Sequence, residues 1–242
     1  MEKKTAIVIG ASSGIGAALT RELVRAGYTV GICARRMDKL EALKVELGAD
    51  AVHVAQLDVI ETNKVESVIH EISEKLGGVN VLFNNAGVGF LTDELDLEKE
   101  VATISTNVCG FIAVAVAAYN LFKAQSYGHM VGISSIAALR GSGGAPAYCA
   151  SKAAISNYME GLYGRSIKEK AGIHITDIRP GFVDTAMAQG EGIFWMVSPE
   201  VAAKDIMKAM KQKRKVAYIT KRWFIIALLL KCMPRSLLAK MA

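Results

Sequence analysis

Proline and cysteine are scarce in this chain, and long apolar runs are missing. Only 4 of its 242 residues are Pro, against a hydrophobic content of 52%. That balance argues against a disordered or Pro-rich extended protein and leaves ample material for a core. The 4 cysteines (Cys33, Cys109, Cys149 and Cys232) stand far apart, with no CxxC and no Cys/His cluster. A disulfide framework and a structural zinc site are therefore both disfavoured, and no metal is expected. Reduced thiols in a cytoplasmic protein are the expectation. The longest strongly apolar run spans 223–230, too short to cross a bilayer, which takes about 20 residues. The opening MEKKTAIVIGASSGIG runs from its first apolar stretch straight into glycines, so no secretory signal is expected.

Acidic residues are missing from the tail. From Lys204 onward there are 11 Lys/Arg against the single acid Asp205, within a chain whose net charge is +6. The body is thus mildly acidic and the tail strongly basic. Nucleic-acid binding would call for basic residues along a folded face, and no such partner is expected.

What the chain does have is an alternation of short apolar runs with longer amphipathic stretches. Strands are expected over 5–9, 28–33, 51–57, 79–83, 129–134, 173–178 and 216–219, and helices over 17–26, 37–47, 61–76, 98–123 and 147–170. Continuous apolar strands separated by helices imply a parallel sheet covered on both faces. Right-handed crossovers make it a doubly wound, single-domain Rossmann-type α/β fold over residues 1–220, followed by a basic and apolar extension, 221–242. Ligands in such sheets bind beyond the carboxyl ends of the strands. Those ends fall just after Ile9, Cys33, Leu57, Phe83, Ser134 and Ile178.

A glycine-rich turn follows the first of them: Gly10-Ala11-Ser12-Ser13-Gly14-Ile15-Gly16. Glycines let a pyrophosphate approach the N–H groups at a helix N-terminus. The spacing is GxxxGxG rather than GxGxxG, and a tight turn without ligand is the competing reading. After the second strand, where an NAD site carries an acid, stand Ala34-Arg35-Arg36. A guanidinium grips a 2′-phosphate that an acid would repel. Arg35 is assigned to that phosphate, with Arg36 starting the next helix in solvent, and the expected cofactor is NADP(H).

Tyr148-Cys-Ala-Ser-Lys152 puts a phenol and an amine on one helix face. Ser135 lies upstream across a glycine-rich loop, Asn84-Asn85-Ala86-Gly87 follows the fourth strand, and Asn107 lies in the next helix. With GASSGIG, Asp58 in LDV, NNAG, Asn107, Ser135, YxxxK and Pro180-Gly181 in this order, the chain resembles the short-chain dehydrogenases/reductases over roughly residues 4–220. The resemblance implies a seven-stranded Rossmann sheet and an Asn107-Ser135-Tyr148-Lys152 active site. Tyrosine titrates near ~10, and the Lys152 ammonium with an oxidised nicotinamide is expected to lower that value. Tyr148 then serves as proton donor or acceptor and Ser135 as hydrogen-bond donor to the reacting oxygen. The resemblance also implies that Lys152 holds the nicotinamide ribose and that Asn107 holds a proton-relay water.

Further cofactor contacts are implied in the same way. The turn supplies Gly10, Ser12, Ser13, Gly14, Ile15 and Gly16. Asp58 with Val59 faces the adenine, or else caps the following helix. Asn85, Ala86 and Gly87 line the ribose side, while Asn84 ties neighbouring strands. Pro180, Gly181, Val183 and Thr185 orient the carboxamide, with a helix N-cap as the alternative for Thr185.

Substrate is expected under the segment 186–198. Met187, Phe194 and Trp195, with Ala137, Leu139, Phe90 and Phe182, suggest an apolar pocket, or simply a lid packed on the body. An apolar aldehyde, ketone or alcohol suits it. Family members are usually homodimers or homotetramers, and the Ala-rich helix around 111–119 allows close packing. The tail reads either as an interfacial membrane contact or as subunit packing. The rival to an oxidoreductase is a catalytically silent NADP(H)-binding sensor or scaffold.

Overall fold

The computed structural model describes residues 4–90, 94–187 and 194–238. Seven strands form one sheet in the order β3-β2-β1-β4-β5-β6-β7, every neighbouring pair parallel. They are β1 (Lys4–Ile9), β2 (Tyr28–Ala34), β3 (Val52–Gln56), β4 (Val81–Asn84), β5 (Gly128–Ile133), β6 (Ile173–Pro180) and β7 (Val216–Ile219). The order reverses between β1 and β4, and a crevice opens at such a switch point beyond the carboxyl ends.

Alternation along the strands divides the core in two. Ala6 and Val8 face one side, with Leu19 and Leu23 of α1 (Gly14–Arg25) and Leu40 and Leu43 of α2 (Met37–Leu47). Ile7 and Ile9 face the other, with Ile69 and Ile72 of α3 (Thr62–Leu76). Side-chain period 2 against helical period 3.6 produces these layers. Gly77, in the left-handed conformation at φ 73°, ends α3 as its position after the apolar stripe predicts.

The stretch expected as one helix near 98–123 is three elements. Asp96 caps α4 (Leu97–Ile104) by accepting from the N–H groups of Glu98 and Lys99. A π-helical turn over Ser105–Gly110 follows, then α5 (Phe111–Gln125). By length and composition 97–125 could cross a membrane. Here Phe111, Val114, Ala115, Ala118 and Phe122 of α5 lie in the core instead.

A 3-10 turn, Ile136–Leu139, precedes α6 (Pro146–Glu169), which opens on Pro146, where a missing N–H costs nothing. Helix α7 (Pro199–Lys211) falls where the sequence reading named no element. Its start is legible afterwards in Ser198-Pro199-Glu200, since the Ser198 hydroxyl accepts from Val201 N–H. The tail continues as α8 (Trp223–Cys232) and α9 (Arg235–Leu238).

Candidate active site

Four features converge at the carboxyl ends of β1, β4, β5 and β6. The first is the glycine-rich turn. Gly10 adopts φ 80°, and a Cβ there would lie 2.8 Å from the Cα of Ala86. A Cβ on Gly16 would lie 2.2 Å from the Gly10 carbonyl oxygen. The turn is therefore closed to side chains and leaves its main chain and the start of α1 facing the crevice, a cradle that fits a pyrophosphate. Asn85 Nδ2 donates to the Gly10 carbonyl at 3.1 Å and fastens the loop after β4 to this turn.

The second is helix α6. Tyr148 and Lys152 lie one turn apart, with the Lys152 Nζ 5.6 Å from the centre of the Tyr148 ring. Lys152 is buried and donates to the Ile133 carbonyl at 3.1 Å, at the end of β5. Burial lowers its ammonium to about 8, while the Asp177 carboxylate acts in the opposite direction. The first turn of α6 is held by the Glu100 carboxylate, which accepts from the Ala147 N–H at 2.9 Å. An acid there also complements the helix dipole.

Third, Ser135 leaves β5 with its hydroxyl accepting from Ala137 N–H at 3.1 Å and donating to the Pro180 carbonyl at 3.5 Å, near enough to the Tyr148 phenol to act on its titration. Fourth, Asn107 sits fully buried in the π turn, a local irregularity of helical hydrogen bonding common at functional sites. Its side chain accepts from Val88 N–H at 2.8 Å and donates to the Val88 carbonyl at 2.7 Å and to Ser151 Oγ at 3.0 Å. Ser151 in turn donates to the Tyr148 carbonyl at 2.7 Å. Loop, π turn and α6 are thus one hydrogen-bonded unit.

Residues 4–192 match the family model described as short chain dehydrogenase. The chain belongs to the short-chain dehydrogenase family. An uncharacterized oxidoreductase of Myxococcus xanthus is 38% identical over 191 residues, 77% of this chain and 75% of that protein. The farnesol dehydrogenase of Aedes aegypti is 37% identical over 193 residues, 75% of this chain and 78% of the relative. Among solved structures, an alcohol dehydrogenase from Thermococcus sibiricus complexed with 5-hydroxy-NADP superposes with a TM-score of 0.79. It is 26% identical, covering 90% of this chain and 96% of its own. A short chain dehydrogenase/reductase from Burkholderia phymatum in complex with NAD gives a TM-score of 0.86 at 21% identity, covering 94% and 92%. The latter shares the fold. The protein is an oxidoreductase of this family, built on a nucleotide-binding Rossmann sheet.

Within this short-chain dehydrogenase, three expectations need correction. Arg36 does start α2, as its exposed N-cap residue, but its side chain is not free in solvent. Its guanidinium donates to Ser12 Oγ at 2.8 Å and to Ser13 Oγ at 2.7 Å, above the glycine-rich turn. Arg35 is exposed, and its carbonyl accepts from Gln56 of β3. The cation beside the turn is therefore Arg36.

The Tyr148 phenol is raised, not lowered. Burial disfavours the phenolate and outweighs the opposing effect of the Ser135 hydroxyl, while Cys149 adds a smaller upward push. The third correction concerns the side chain of Asn84, whose Nδ2 donates to the Phe111 carbonyl at 2.9 Å. Its side chain ties β4 to α5, while the residue itself is paired with Ile9 of β1 and Gly132 of β5.

The remaining positions fall as follows. Asp58 accepts from Ile60 N–H at 3.2 Å, forming a turn that leads into α3. Val59 is buried, and its side chain occupies the space a Cβ on Gly110 would need. A Cβ on Gly87 would lie 3.5 Å from the Lys152 Nζ, and one on Gly14 3.0 Å from Thr185 Cγ2. Thr185 thus stands against the glycine-rich turn beside Ile15, and it begins no helix among the described residues. Val183 pairs with Val197, closing the ends of the segment between them. Of that segment, 188–193 lies outside the described residues.

Met187 approaches Tyr148 across Gly89, whose added Cβ would lie 2.9 Å from the Tyr148 ring and 3.3 Å from Met187 Cγ. Phe182 and Phe194 have ring centres 5.9 Å apart, and Phe194 stacks on Trp223 at 5.2 Å. Trp195 joins the cluster at 6.1 Å from Trp223. Ala137 and Leu139 lie in the 3-10 turn after Ser135. The sequence reading placed Trp223 in the tail and missed it here; the only signal was an aromatic residue opening an apolar run.

Asp177 was also missed. Buried on β6, it accepts from the hydroxyl of Ser134 and, at 2.8 Å each, from Ser156 Oγ and Arg179 Nε. Ser156 lies one turn beyond Lys152, so this carboxylate clamps α6 to β6 and to the end of β5.

Proposed function

We propose that the protein is an NADP(H)-dependent oxidoreductase that interconverts a carbonyl and an alcohol on an apolar substrate. The reading rests chiefly on the buried Tyr148 phenol, on whose titration the Ser135 hydroxyl acts, with the Lys152 Nζ 5.6 Å from its ring centre. Bound NADP(H) supplies or accepts the hydride. Tyr148 gives its proton to the carbonyl oxygen in reduction and removes it in oxidation. Ser135 donates to the same oxygen as negative charge builds there. Lys152 holds the nicotinamide ribose and restores the proton to Tyr148. The Asn107 side chain is engaged by Val88 and Ser151, so a relay water falls to its main-chain carbonyl.

Arg36 above Ser12 and Ser13 supports NADP(H) over NAD(H), since its guanidinium can exchange hydroxyl partners for a 2′-phosphate. Gly10, Gly14, Ile15 and Gly16 take the pyrophosphate, with Asp58, Val59, Asn85, Ala86 and Gly87 on the adenosine side. Pro180, Val183 and Thr185 hold the carboxamide. Met187, Phe182, Phe194 and Trp195 support an apolar substrate, and a relative named farnesol dehydrogenase supports an alcohol. Exposed Leu97, Val101 and Ile104 on α4 and Val116 on α5 support assembly into a homodimer or homotetramer. Kinetics over a panel of apolar aldehydes and ketones test the proposal. Turnover with kcat/KM favouring NADPH is expected; an NADH preference refutes the cofactor, and no turnover of any member refutes the chemistry.

A further inference from the structure

Helix α8 turns its apolar side the wrong way for a helix facing water. Its sequence, WFIIALLLKC, buries only Trp223 and Ala227. At 3.6 residues per turn, Phe224, Ile225, Leu228 and Leu229 occupy an arc of roughly 140° on the opposite side. Each is 50–58% exposed. A water-facing arc normally carries charged or polar side chains; this one carries none. Phe194 and Trp195 beside Trp223 add further exposed apolar groups next to α8, and Met196 and Leu237 are exposed as well.

This face belongs to a fixed element, not a fraying tail. Trp223 is wedged against Gly181 and Phe182. At the other end, Arg140 Nε donates to the Leu230 carbonyl at 2.7 Å, and its Nη2 donates to that of Lys231 at 2.6 Å. That guanidinium caps the carbonyl end of α8 from the loop that follows the 3-10 turn.

Charge selects the occupant. Lys221, Arg222 and Lys231 are exposed at the two ends of α8, and the sequence from Lys221 onward contains no acid. A second copy seated on this face about a two-fold axis would set these cations against themselves with no carboxylate from the segment to pair them. An anionic lipid surface takes both features, the apolar arc at the acyl boundary and the cations among phosphates, at about 1 kcal/mol for each cation. Ten residues of helix span about 15 Å, half the hydrocarbon core, so α8 lies in the plane of the surface.

We propose that α8 is a docking face for an anionic bilayer surface. Phe224, Ile225, Leu228 and Leu229 enter the acyl boundary, and Lys221, Arg222 and Lys231 meet the headgroup phosphates. The inference stands independently of the proposed chemistry.

Co-sedimentation of the full chain with vesicles of phosphatidylcholine, with and without phosphatidylglycerol, tests it. Binding to the mixed vesicles at least about tenfold tighter than to phosphatidylcholine alone, and reversed by salt, is expected. The Ile225→Gln/Leu229→Gln variant keeps Trp223 and Ala227 in place and should lose at least about tenfold of that binding. The wild-type chain provides a readout that does not depend on the variant folding. Its 2 tryptophans, half-exposed Trp195 and buried Trp223, both adjoin the face, so anionic vesicles should shift the emission to the blue. Equal partitioning of wild type and variant, or equal binding to both vesicle types, overturns the proposal. Dissociation of a dimer by the variant, with wild type ignoring vesicles, overturns it in favour of a second copy.

Discussion

Gly181 and Trp223 form one packing unit. A Cβ at position 181 would sit 1.9 Å from the Cε2 of the indole, so the glycine after β6 leaves the room that Trp223 fills. The main-chain N–H of Gly181 donates to the Ile219 carbonyl at 2.7 Å, joining the end of β6 to β7. Through the indole, α8 reaches the carboxyl end of β6.

Gly181→Ala is expected to destabilise the protein by about 1–3 kcal/mol through overpacking. Calorimetry should show a lower Tm, and in a Trp223→Ala background the alanine should cost far less, because the space is then open. An equal cost in both backgrounds would mean that the indole does not restrict residue 181.

The Arg36 guanidinium makes charge-assisted contacts above the turn, and such bonds contribute about 1.5–3 kcal/mol. Arg36→Glu is expected to lower kcat/KM for NADPH by about tenfold to a hundredfold, with little change for NADH. Arg35→Glu should have the smaller effect. The reverse ranking would return the 2′-phosphate to Arg35.

Lys152 carries a pH signature. Its ammonium is lowered from 10.5 to about 8 by burial, so between those values the unfolded chain holds a proton that the folded one has released. Stability therefore rises with pH across this window and is lost as pH falls through about 8. Thermal melts of wild type and Lys152→Met should differ in this slope, which the variant lacks. Asp177→Asn removes the carboxylate that favours the ammonium and should move the onset of the rise to lower pH. It also leaves Arg179 without its buried partner, a loss of about 3–5 kcal/mol. Parallel melting curves for wild type and Lys152→Met across pH 8–10.5 would contradict this assignment.

The sheet and the placement of Tyr148, Lys152, Ser135 and Asn107 at its carboxyl ends were legible in the sequence. Strand–helix alternation and an i, i+4 spacing are local signals, and the polar residues sit just past the apolar runs. What was not legible depends on direction and distance. Of the adjacent arginines at the end of β2 only Arg36 bonds the hydroxyls of Ser12 and Ser13, and spacing alone does not separate it from Arg35. The direction of the Tyr148 shift depends on how much protein surrounds the phenol, which Lys152 four residues away does not reveal. Trp223 meets Gly181 across 42 positions of chain, and Asp177 gathers Ser134 and Ser156 from two other elements. Helix α7 was the avoidable omission, because Ser198-Pro199-Glu200 is a local start signal.

The central claim is that the Tyr148 phenol moves the proton. Tyr148→Phe keeps the ring that packs at Gly89 and removes only the hydroxyl. Single-turnover reduction of an apolar carbonyl by NADPH, with NADPH affinity followed by fluorescence, tests the claim most directly. The account predicts a rate about 10²–10⁴-fold lower at unchanged NADPH affinity, and a variant that still reduces the carbonyl at the wild-type rate would contradict it.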